Sequence, residues 1–64
     1  MDYLKIAEIA QKCNVKQAQI LEHYRMIGAN PQFPKEVVDT FYAVISDMEA
    51  EKTRLEKQLW KLVK

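Results

Sequence analysis

The stretch FPKEVVDTFYAVISDMEAEKTRLEKQLWKLVK, Phe33 to Lys64, decides the fold. After Pro34 it contains neither glycine nor proline, so nothing in it interrupts a helix. Apolar residues recur at Val38, Phe41, Ile45, Met48, Leu55, Leu59 and Leu62, in alternating steps of three and four, with Lys52 in the slot between Met48 and Leu55. That spacing is a heptad repeat, the pattern of a helix that packs along another helix. It predicts one long helix beginning near Pro34, which suits a first helical position because its missing N–H would have no partner there anyway. The first half is expected to close a small head and the second half to project as a coiled-coil strand.

A chain of 64 residues is one small unit, and a chain this short buries only about 60% of the surface its unfolded form exposes. Some further device is needed to stabilise it. Cys13 is the lone cysteine and His23 the lone histidine, which excludes an internal disulfide and leaves no metal-ligand spacing. Oligomerisation through the heptads remains. The net charge is +1, far from the strong basic balance of many nucleic-acid binders. Residues 1–35 are mildly basic, with Lys5, Lys12, Lys16, Arg25 and Lys35 against Asp2, Glu8 and Glu22, and residues 36–64 are nearly balanced. No apolar run has the ~18 residues of a membrane span and no secretory leader pattern is present, so a cytoplasmic protein with a reduced thiol is expected. No acid–base pair, phosphate loop or metal cluster points to catalysis, and neither an enzyme nor a cofactor is expected.

Upstream of the long helix, Ile6, Ile9, Ala10 and Cys13 form one apolar stripe at helical spacing. Lys5 stands where a capping residue is wanted and caps poorly. Asn14 is the expected end of this helix, since Asn tolerates a left-handed backbone, and Val15 follows it as an apolar plug. A second helix is expected from Lys16 or Gln17 to Ile27, with Ile20, Tyr24 and Ile27 inward and His23 at their margin. Gly28, the only glycine, is placed as its C-terminal stop. Gly28 to Pro34 forms the one loop, stiffened by Pro31 and Pro34.

Two short helices joined by a tight turn make a helix-turn-helix. Counting from Ile6, the fifth position is the small Ala10, which permits a close crossing. The ninth is Asn14 at the turn, and the tenth and fifteenth are the plugs Val15 and Ile20. The segment Tyr3 to Val15 resembles the opening of the MerR-like and excisionase-like DNA-binding domains, and Phe33 to Phe41 resembles the stretch that starts their third helix. A coiled coil after such a head is similar in layout to the small terminase subunits of tailed phages. The resemblance spans residues 3 to 45 at superfamily level and departs in two ways. Only seven residues, Gly28 to Pro34, stand where those families place a β-hairpin wing, and the second helix is poorer in basic residues.

With no stretch that reads as a strand, the expected fold is all-α: a helix-turn-helix head over residues 1–47 packed on a long helix, whose residues 48–64 continue as the oligomerisation strand. The resemblance adds the function. It implies a transcriptional regulator or packaging factor, of phage or mobile-element type, that binds duplex DNA. Its second helix would enter the major groove, presenting Gln17, Ala18, Leu21 and Glu22 to base edges with Gln19 alongside and Arg25 near the end. Lys12, Lys16 and Lys35 would contact phosphates. The alternative is a protein-docking adaptor or anti-repressor using Leu21, Met26 or Trp60. In the tail, Met48, Lys52, Leu55, Leu59 and Leu62 are the expected self-association seam, because beyond Met48 the head supplies nothing to cover them. Lys52 would select register, and parallel and antiparallel pairings both stay open.

Overall fold

The computed structural model describes residues 2–63. They form two helices, α1 from Tyr3 to Ala29 and α2 from Lys35 to Val63, with no strand among the described residues. The helices lie side by side as an antiparallel hairpin, a rod measuring 49 × 16 × 11 Å. Its radius of gyration is 14.9 Å, against about 11 Å for a compact domain of this length.

The all-helical expectation holds, but α1 is a single helix. It runs through Asn14 and Val15 without a break, and no described residue has a positive φ. The expected turn at Asn14 is therefore replaced by a helical residue. The physical reason lies on both sides of it. Ala10, Gln11, Lys12, Lys16, Gln17 and Ala18 are good helix formers, while Asn in a helix interior costs only about 0.6 kcal/mol relative to Ala. Helical phase also carries Ile6, Ile9, Cys13, Lys16, Ile20, His23 and Ile27 onto one face, each of them buried or half-buried. Their steps are again three and four, so α1 carries a heptad seam of its own and meets that of α2.

The helix ends differ from expectation as well. Asp2, not Lys5, is the N-cap: its Oδ1 accepts from the Lys5 N–H at 3.1 Å and its carbonyl accepts from the Ile6 N–H at 3.1 Å. An Asp cap of this kind contributes about 1 kcal/mol. At the other end Gly28 lies inside the helix, and Asn30 terminates it. The Asn30 N–H donates to the Ile27 carbonyl at 3.3 Å, and its side-chain Nδ2 donates to the Met26 carbonyl at 2.8 Å. Two of the helix's last carbonyls are thus satisfied by one residue. Pro31 follows and cannot donate, which prevents continuation. The Pro34 carbonyl then accepts from the N–H groups of Val37 and Val38, both at 3.1 Å, opening α2. Glu36 in that first turn complements the helix dipole.

Ile9, Ile20, Ile45 and Met48 are the buried apolar residues among those described, and Ile20, Ile45 and Met48 form one cluster with Ile27 packed on it. The boundary expected near residue 47 falls inside α2, and Met48 belongs to the same cluster as Ile45. Toward the loop, Phe33 stacks on Phe41 with centroids 5.8 Å apart, and His23 meets Phe41 edge-on at 5.5 Å. These rings close the loop end of the seam.

Candidate functional site

The seam has a polar layer at mid-length. Lys16 Nζ lies 2.9 Å from Glu51 Oε2. The hydrogen bond and positive charge of Lys16 hold the Glu51 carboxyl below its ordinary value near 4.5. A depressed carboxylate favours the fold when ionised, so this pair supports the hairpin fully above that value and loses its effect as pH falls through the lowered one. Lys52 occupies a seam position of α2 and is half-buried beside Gln17 and Ile20. Lysine there fixes register at a cost in stability. Lys52→Leu is expected to raise the thermal midpoint of the hairpin, measured by circular dichroism.

Two long faces flank the seam. On one, Tyr24 meets Tyr42 edge-on with centroids 6.4 Å apart, and Gln17, Leu21, Glu49 and Thr53 border the same groove. Nearer the open end, Ala10, Glu56, Trp60 and Val63 continue this face. On the other face the Lys16–Glu51 pair is bordered by Glu8, Gln11, Lys12, Val15 and Leu55. The two are called here the tyrosine face and the ion-pair face.

Of the residues expected to read DNA, Gln17, Ala18, Leu21, Glu22 and Arg25 fall within one arc of about 140° on α1, while Lys12 and Lys16 lie on its opposite side. Lys16 is engaged with Glu51 and only 26% of its side chain is exposed. Gln17 is half-buried in the groove of the tyrosine face, where Leu21 also lies. Lys12 borders the ion-pair face. Ala18, Gln19, Glu22 and Arg25 are exposed, and Arg25 Nη1 pairs with Glu22 Oε2 at 3.4 Å. Lys35 begins α2, at the loop end of the rod.

The residues expected to bind a second chain lie on the seam itself. Met48 is buried against Ile20 and Ile45. Lys52, Leu55, Leu59 and Leu62 are half-buried. Leu55 lines a groove with Val15 and Lys16, and Leu59 one with Ile6 and Ala10. The premise that nothing in the chain covers α2 beyond Met48 is corrected: the first half of α1 covers it, because α1 does not turn at Asn14. Of the residues offered for protein docking, Leu21, Met26 and Trp60 are all exposed, Trp60 most at 63%. Tyr24, expected inward, is instead 46% exposed and pairs with Tyr42 beside the seam.

His23 Nδ1 lies 2.7 Å from the Gln19 carbonyl, and the ring packs on Phe41. That is a structural placement at the seam. Cys13 is a free, half-buried thiol. Among the described residues no group of His, Cys, Asp or Glu is placed to hold a metal ion, and no helix is long and apolar enough to cross a membrane. No family model matches the chain, and neither does a curated protein or a solved structure.

Proposed function

We propose that this chain is a helical-hairpin interaction module that acts through protein–protein contact, as an adaptor or oligomerisation element. The observation that carries this reading is the exposed apolar surface. Leu21, Tyr24, Tyr42 and Trp60 are between 46% and 63% exposed on a rod whose buried apolar residues, among those described, are only Ile9, Ile20, Ile45 and Met48. Large apolar side chains gathered along one face mark an interaction surface, and Tyr and Trp are the residues that most often anchor one.

Duplex reading finds less support. A groove-reading helix needs phosphate donors flanking its base-contacting side, and here Lys12 and Lys16 lie on the opposite side of α1 from Gln17, Ala18, Leu21, Glu22 and Arg25. Its best phosphate donor, Lys16, faces Glu51. The test is fluorescence anisotropy with a mixed-sequence DNA duplex at low and at physiological salt. No saturable binding is expected at either. Binding that falls steeply with salt and is lost in Arg25→Ala would return the chain to the DNA-binding class.

A further inference from the structure

The tyrosine face has properties that specify its occupant. Along α1 it comprises Tyr3, Ala7, Ala10, Gln17, Leu21 and Tyr24 and carries no charge. Along α2 it carries the acidic Asp39, Glu49 and Glu56, with Lys35 in the first turn and Lys52 at the seam edge of its groove. The ion-pair face, by contrast, mixes both signs on both helices. The chain exposes 5003 Å², whereas a folded monomer of its 7.5 kDa mass exposes about 4,200 Å². The excess is surface that a hairpin alone cannot bury. With one cysteine, association is the available remedy.

We propose that the tyrosine face is covered by a second copy of this chain, forming a four-helix bundle whose two-fold axis runs along the rod, with both loops at the same end. This deepens the interaction-module reading and rests on it. Two symmetric ways of stacking the faces exist. With the loops at opposite ends, α2 lies on the partner's α2 in antiparallel fashion, and Glu49, at the midpoint of that helix, meets its own symmetry mate. Like charges in contact oppose this arrangement. With the loops at the same end, α1 lies on the partner's α2, and the glutamates meet an uncharged stripe.

Side-chain sizes match at several levels of the second arrangement, and Tyr24 meets Tyr42 of the partner subunit ring to ring. Within the hairpin, residues at one level have numbers summing to about 66, as Tyr24 with Tyr42 and Lys16 with Glu51 do. The same levels align across the two-fold. Trp60 then falls over Ala7 of the partner subunit, Leu21 over Ser46 of the partner subunit, and Thr53 over Asn14 of the partner subunit. Each of these pairs joins a larger side chain to a smaller one, or two polar ones, as interdigitating layers need. The contact is self-complementary and closes at two copies.

Sedimentation equilibrium of the full chain tests this. The expected mass is twice 7.5 kDa, with a thermal midpoint that rises with concentration. Leu21→Asp and Trp60→Asp should each halve the mass or abolish helicity, while Val15→Asp on the ion-pair face should leave the mass at two copies. A short bis-maleimide should cross-link Gln32→Cys in a Cys13→Ser background, since same-end loops adjoin and opposite-end loops stand nearly the 49 Å rod length apart. A helical wild-type monomer whose midpoint ignores concentration overturns the dimer. So does a dimer broken by Val15→Asp and not by Leu21→Asp. Absence of the cross-link in a confirmed dimer overturns the same-end arrangement. These outcomes are separable from the DNA test: duplex binding removes the interaction-module reading itself, whereas a folded monomer removes only the second copy as occupant.

Discussion

Ile45→Ala will cost about 2–5 kcal/mol, the range for truncating a buried aliphatic side chain. Ile45 is the most buried residue of the core cluster, at 2% exposure, and it packs with Ile20 at 4%. A chain of this length has a total stability of about 3–10 kcal/mol, so one truncation removes a large share of it. Circular dichroism under urea titration should show the midpoint falling steeply or the helical signal lost at room temperature. The cost is high because the seam is one layer deep. In a larger domain, neighbours from a third element relax into such a cavity. Here the cluster of Ile45 is Met48 and Ile20 with Ile27 packed on them. Truncating an exposed neighbour, Val44→Ala, should cost under 1 kcal/mol. Equal effects at the two positions would show that Ile45 is not the centre of the core.

The second large effect is expected at Asn14. Asn14→Pro removes the N–H that bonds the carbonyl of Ala10 and drives the ring against that carbonyl, at a cost of about 3 kcal/mol or more. The smaller substitutions carry the sharper information because their sign depends on the backbone. In a continuous helix Asn14→Ala should stabilise by about 0.5 kcal/mol and Asn14→Gly should destabilise by a similar amount. In a left-handed turn the order reverses, since glycine adopts positive φ freely and alanine does not. Thermal midpoints of the three variants therefore discriminate one long α1 from two short helices.

Much of α2 was legible because its seam is almost wholly apolar. Val38, Phe41, Ile45, Met48, Leu55, Leu59 and Leu62 announce the heptad, and one lysine does not hide it. The seam of α1 has the same spacing, but Lys16 and His23 stand at two of its positions. With those slots polar, the remaining Ile6, Ile9, Cys13, Ile20 and Ile27 divide into two short stripes on either side of Asn14. A helix-turn-helix fits those stripes, and the position-by-position match to that motif reinforced the division. Chemistry settles what pattern obscured. Lys16 is tolerable in the seam because Glu51 receives it, and His23 because its ring packs on Phe41 and its Nδ1 finds the Gln19 carbonyl. The ends of α1 misled for a related reason. Asp2 and Asn30 are strong capping types, but the sole glycine, Gly28, resembles a C-terminal stop, and the structure keeps it in the helix with open space where a Cβ would be.

For the candidate site, the exposed anchors Leu21, Met26 and Trp60 were readable as apolar residues on polar sides of their helices. The tyrosine face as a unit was not, because it joins residues from both helices, and that juxtaposition exists only once α1 and α2 run antiparallel. The seam of α2 beyond Met48 was expected to meet another chain. The first half of α1 covers it from within the chain instead.

The antiparallel register also sets an order of events in folding. Sequence separation across the seam grows steadily with distance from the loop. Ile20 and Ile45 are 25 residues apart, while Ile6 and Leu59 are 53 apart. Closing the shorter span has the lower entropic cost, and the rings of His23, Phe33 and Phe41 stand beside it. The hairpin should therefore zip from the loop outward, each level shortening the closure for the next, with the modest barrier typical of locally wired helical folds. The open end, where Trp60 and Ala7 lie, forms last and opens first. In the proposed bundle, these are the groups through which each copy buttresses the other where the rod is weakest.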